Sequence, residues 1–157
     1  MSTRSQIKLR SNDPAFSSER GESKIYIYKH SDGYPEGVIP YLWPIVKEFH
    51  KNRGCNDGSY LLCQIIRHMA VMEHKESVEA IKKMRDRQDK FDLDTLKDWE
   101  ADPTFLYRQG SLGWGLDCVA HGDVEFLYEI DSKGKIYING KVQSEKQLKK
   151  ICEEAKK

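Results

Sequence analysis

The chain has 157 residues, 26 of them basic and 25 acidic, so its net charge is only +1. With 32% charged and 38% hydrophobic residues it has the composition of a globular domain with a highly charged surface, long enough to bury its own core. That balance argues against a strongly basic nucleic-acid binder, though not against a local basic patch. No apolar run approaches the roughly 20 residues needed to cross a bilayer, so no membrane role is expected.

Met1 to Arg10 carries no apolar signal-peptide core. The four cysteines, Cys55, Cys63, Cys118 and Cys152, are scattered and form no CxxC pair. Reduced thiols in a cytoplasm are therefore expected. Cys63 and Cys152 fall in helical apolar patterns and are expected in the core.

In chain order, Thr3 to Arg10 alternates Ile7 and Leu9 with polar residues and predicts a strand. Residues 11–23 are rich in Ser, Asn, Asp, Pro and Gly and read as a flexible loop. Lys24 to His30 predicts a second strand, paired with the first as a hairpin across that loop. Val38, Tyr41, Leu42, Ile45, Val46 and Phe49 have helical spacing. Pro40 is tolerable in a first turn, whereas Pro44 predicts a kink or a later helix start. Asn52-Arg53-Gly54 should close this helix, and Asn56-Asp57-Gly58 should turn.

A second helix is predicted over Ser59 to His74, and a separate charged one over Ser77 to Gln88. In the latter, Lys82-Lys83-Met84-Arg85-Asp86-Arg87 reads as a solvated face. Asp92 to Trp99 predicts a short helical turn stopped by Asp102-Pro103, and Thr104 to Arg108 a strand. Val124 to Ile130 is the clearest strand, followed by a turn at Asp131 to Gly134 and a strand over Lys135 to Ile138. Asn139-Gly140 is a hairpin dipeptide. Ser144 with Gln147 three residues on forms a capping box for a final helix to about Ala155. Strands, helices, strands, helix is the order of a single α+β domain over 1–157, a mostly antiparallel sheet with helices on one face.

The stretch Tyr26 to Gly37 is the most informative. His30, Asp32, Tyr34 and Glu36 stand where a strand breaks into a helix entry. Loops at strand ends commonly carry function, and a helix N-terminus offers free N–H groups to an anion. Structure alone could also explain them. Asp32 would cap the turn, Gly33 would supply a positive φ, and Pro35 with Glu36 would open the helix. Arg4 is expected near this turn if the first two strands pair. It would hold a phosphate or carboxylate, or pair with Asp32.

Cys118 and His121 are spaced like half a zinc site, which His30 and Asp32 could complete. They could also be a nucleophile and its base, but a turn is the better reading. Trp114 with Tyr107 and Tyr34 could wall a base or sugar ring, against the alternative of packing on a neighbouring strand. No Walker loop, GxGxxG, HExxH or GxSxG occurs.

Thr3-Arg4-Ser5-Gln6-Ile7 and His30-Ser31-Asp32-Gly33-Tyr34-Pro35-Glu36 together resemble the TRSxI segment and HxDGYPE turn of a small, uncharacterised phage and prophage protein family. Gly122 to Asp131 resembles its late aspartate–aromatic strand more weakly. The position after the histidine, often Trp in that family, is Ser31 here. The resemblance implies a small virus-derived protein in the cytoplasm of the host cell.

The first expectation is thus a non-enzymatic binding protein with a ligand site at Arg4, His30, Asp32, Tyr34, Glu36 and Trp114. Its partner would be a host protein or a nucleotide-like ligand, and it would inhibit a host defence system, either as an anti-CRISPR-like protein or by sequestering a nucleotide signal. No cofactor is expected. The alternatives are a phosphodiester hydrolase or nuclease using His30 and Asp32, and a structural or assembly protein. The Tyr- and Trp-rich strands could equally serve a homodimer.

Overall fold

A computed structural model describes residues 3–11, 13–16, 25–86 and 114–156. Two compact units are distinguishable, one of residues 1–66 with 113–157 and one of 67–112.

Among the described residues, the first unit is built on a six-stranded sheet. Its strands are β1 (Ser5–Leu9), β2 (Tyr26–Lys29), β3 (Trp114–Asp117), β4 (Phe126–Ile130), β5 (Ile136–Ile138) and β6 (Lys141–Val142), in the order β3-β2-β1-β4-β5-β6. The β1–β2 hairpin forms as expected, with Ile7 opposite Ile27 and Ser5 opposite Lys29. All pairs are antiparallel except β1 with β4, where Ser5 to Leu9 run beside Phe126 to Ile130 in parallel. The fold is α+β with a mostly antiparallel sheet.

Alternation along the strands sorts their side chains onto two faces. One face carries Ile7, Ile27, Tyr128, Ile130 and Ile136, each at most 1% exposed. Helices α1 (Pro35–Arg53) and α3 (Glu145–Glu154) and the start of α2 (Gly58–Asp86) lie against this face. Tyr41 of α1 meets Trp114 edge-on, Gly58 abuts Leu9, and Leu148 of α3 is buried. The other face carries Gln6, Lys8, Tyr26, Tyr28, Glu129 and Tyr137. Lys8 pairs with Glu129 there, and the Arg10 guanidinium lies 3.7 Å above the Tyr137 ring.

The helices depart from expectation in two places. α1 begins at Pro35 and runs through both Pro40 and Pro44, so the later start is wrong. Its stripe of Val38, Ile39, Leu42, Val46 and Phe49 is buried, and burial of this size outweighs roughly 3 kcal/mol per interior proline. α2 is one helix of 29 residues, not two separated near Lys75. Between Met69 and Val78 the sequence holds no Gly or Pro to break it. Its residues from Arg67 belong to the second unit, where Met69 is buried.

Turn chemistry after β5 follows the sequence. Asn139 and Gly140 take φ of 48° and 77°, the left-handed pair of a type I′ hairpin. Ser144 and Gln147 form the expected capping box on α3. The cysteines do not follow expectation. Cys63 is exposed and Cys152 only partly buried, while Cys55, expected nowhere in particular, is fully buried. Burial raises the Cys55 thiol to about 11, so it is an inert packing group. The expected turn at Asp92 to Trp99, the strand at Thr104 to Arg108 and Tyr107 lie outside the described residues.

Candidate functional site

The sheet gathers a polar cluster at one end of its second face. Its organiser is Gln6, a β1 residue only 1% exposed. A buried amide must satisfy both ends. Gln6 does so by clamping the connection between β3 and β4. Its Nε2 donates to the Val119 carbonyl at 3.1 Å, and its Oε1 accepts from the His121 N–H at 3.1 Å. Asp117 Oδ1 accepts from the Val119 N–H at 2.9 Å, tightening the same loop.

The clamp brings His121 onto the sheet. Its ring stacks on Tyr28 with centroids 4.6 Å apart and planes 24° from parallel. Its Nε2 lies 2.5 Å from Asp117 Oδ2, and its Nδ1 faces Asp123 Oδ1 at 4.0 Å. Arg4 closes the cluster through an ion pair with Asp123, while its carbonyl accepts from the Glu125 N–H. Tyr28 also neighbours His30, just past the end of β2, at 6.2 Å between the centroids of tilted rings. This ring contact sets the histidine of the strand-to-helix turn at the border of the Arg4 cluster.

The hydrogen bond to His121 is the main reason that the Asp117 carboxyl is held below its ordinary value. A carboxyl depressed in the fold stabilises it above the unfolded value, near 3.9, and that contribution is lost as pH falls through the folded value. Acidification below about pH 4 should therefore loosen the 117–123 loop first. Amide exchange at Val119 and His121 checks this. In Asp117→Asn the pH step should vanish, and a step that persists would place the titrating group elsewhere.

The expected site residues separate into three places. Arg4 and His30 join the cluster. Asp32, Tyr34 and Glu36 lie past it, on the entry to α1. Trp114 is on the other face of the sheet, since it pairs in register with Lys29, which pairs with Ser5. Its ring packs between the Lys29 ammonium, at 4.1 Å, and Tyr41. It packs on a neighbouring strand and helix, on the face opposite Gln6 and Tyr28.

Two further expectations are corrected. Arg4 pairs with Asp123 rather than Asp32, because the parallel β1–β4 register brings the Asp123 end of the chain beside it. In the turn, Asp32 itself takes the positive φ of 53°, a conformation Asp tolerates, and Gly33 does not need one. Gly33 is required by space. A Cβ there would lie 2.8 Å from Ser5 N and from Thr3 O. The residue before α1 is Tyr34, which makes no side-chain cap, and Pro35 occupies the first turn.

Cys118 is exposed, and among the described residues no group of three His, Cys, Asp or Glu is arranged to hold a metal ion, the set His30, Cys118 and His121 included. Sequence reasoning missed Gln6 and Tyr28. Tyr28 had a signal, standing two residues before His30 in an alternating strand. Gln6 had none, because only the tertiary fold puts the 117–123 loop over it. Comparison with known proteins finds no matching family model, no matching curated protein and no matching solved structure.

Proposed function

We propose that this chain is a binding protein that meets a protein partner through the surface of Arg4, Tyr28, His30, His121 and Asp123. The supporting observation is that the cluster matches its charges internally. Arg4 is committed to Asp123 and His121 to Asp117, so the cluster presents little net positive charge to a phosphate. What it offers instead is rings and paired charges at roughly one-third to one-half exposure, with side chains of Arg4, Asp117, His121 and Asp123 between 31% and 52% accessible. Tyr and Arg at a partly exposed, hydrogen-bonded surface are characteristic of protein interfaces.

The motif resemblance supports a more specific version, an inhibitor of phage origin acting on a host defence protein. The test is plaque formation by phage on bacteria that carry a single defence system and express this chain. Wild type should restore plaquing against the targeted system. Tyr28→Ala should lose at least tenfold of that effect, as for a central interface ring. Exposed Lys149→Ala should keep it. If Tyr28→Ala and Arg4→Ala restore plaquing as wild type does, the surface assignment is wrong. If they fail only by melting early, the cluster is structural.

One observation favours an enzymatic reading. His121, oriented by Asp117, has the form of a general base with its positioning carboxylate. This moves the hydrolase alternative from His30 and Asp32 to His121. It predicts turnover of bis(p-nitrophenyl) phosphate that disappears in His121→Ala, and no turnover by wild type ends it.

A further inference from the structure

On the helix-covered side, α1, β5 and α3 border an open cleft of about 210 Å³ that the surface above does not use. Its floor is apolar, made of Ile136 and Leu148, which are 0% and 4% exposed. One wall is Trp43. The rim carries Lys47, one turn along α1 from Trp43, and Lys135 from the turn before β5. Gly134, at φ 71°, closes the cleft against His50, whose ring carbon is 3.1 Å from where a Cβ would stand. Among the described residues the lining holds one carboxylate, Glu145 at the start of α3, whose Oε1 lies 2.7 Å from Lys47 Nζ.

From this arrangement we propose that the cleft binds a small planar aromatic anion, one ring carrying a single phosphate or carboxylate. Three features define the class. Trp43 and the apolar floor suit a ring. Lys47 and Lys135 outnumber Glu145, so the rim favours negative charge. The volume is below the roughly 300 Å³ at which drug-sized pockets begin, which restricts the occupant to about one ring and its acidic group. Glu145 pairs with Lys47 and would compete with the anion for it.

That competition gives a result that generic surface stickiness would not. Phenyl phosphate is the probe, followed by indole N–H and lysine resonances with Trp43→Phe fixing the assignment. Wild type should bind with a dissociation constant on the order of 1 mM, as expected for about ten non-hydrogen atoms. Lys47→Ala, at an exposed position, should weaken binding at least fivefold, and Glu145→Gln should tighten it about threefold. Benzyl alcohol and inorganic phosphate should each bind at least tenfold more weakly than the combined probe. No binding by wild type at tens of millimolar, equal binding of benzyl alcohol, or unchanged affinity in both Lys47→Ala and Glu145→Gln overturns the assignment. These outcomes do not depend on the partner surface around Arg4.

Discussion

Gly37→Ala should lower the stability of the fold by about 3 kcal/mol, a drop in melting temperature of roughly 6–12 °C for a chain of this size. The α1 entry folds back so tightly that a Cβ at Gly37 would stand 2.1 Å from the Asp32 carbonyl oxygen. The obstacle is backbone, with no flexible side chain to swing aside, and the Gly37 N–H is already bonded to the Tyr34 carbonyl at 2.9 Å. Gly33→Ala should behave similarly, because its Cβ would press on the backbone of Thr3 and Ser5. His30→Ala, at an exposed position of the same motif, should change stability by no more than about 0.5 kcal/mol. Thermal unfolding followed by circular dichroism separates these outcomes. Were Gly37→Ala to melt with wild type, the tight return at the helix entry would be wrong.

Replacing Tyr128 by Phe should cost about 1–3 kcal/mol and alter the response to alkali. Tyr128 is wholly buried beneath the motif turn, and its hydroxyl donates to the Gly33 carbonyl at 2.8 Å. Phe keeps the ring but leaves that carbonyl without its donor. Burial, and secondarily the Glu36 charge, hold the Tyr128 phenol well above its ordinary value of 10.0. A phenol raised in the fold stabilises the protein fully below the unfolded value, and that contribution is lost as pH rises above it. Urea midpoints should therefore fall as pH rises above about 10 in wild type, and fall less in Tyr128→Phe. Parallel falls in the two proteins would mean that another group controls alkaline unfolding.

Both results concern the stretch from Tyr26 to Gly37 and what lies beneath it. Its glycines and the tyrosine below it are structural, placed by close approach and burial. Its histidine borders the Arg4–Asp123–His121–Asp117 cluster through a tilted ring contact with Tyr28. The motif is thus divided between building the α1 entry and bordering a candidate surface, and a sequence-level choice between those two roles was too coarse.

Much of the fold was legible in sequence because it is written in local chemistry. Period-two alternation marks β1, β2 and β4. Asn139-Gly140 sets a type I′ turn because both residues accept positive φ, and Ser144 with Gln147 satisfies helix N–H groups from within one turn. The tertiary structure alone decided the rest. Pairing β1 in parallel with β4 joins residues more than a hundred positions apart, and no local propensity encodes that register. From it follow the Arg4–Asp123 pair, the Gln6 clamp and the seating of His121 on Tyr28. Burial decided the helices too, carrying α1 through two prolines and drawing Cys55 rather than Cys63 into the core. The sequence by itself determined which residues turn, cap and alternate. Which of them meet was left to long-range packing, whose energy depends on partners that no short stretch contains.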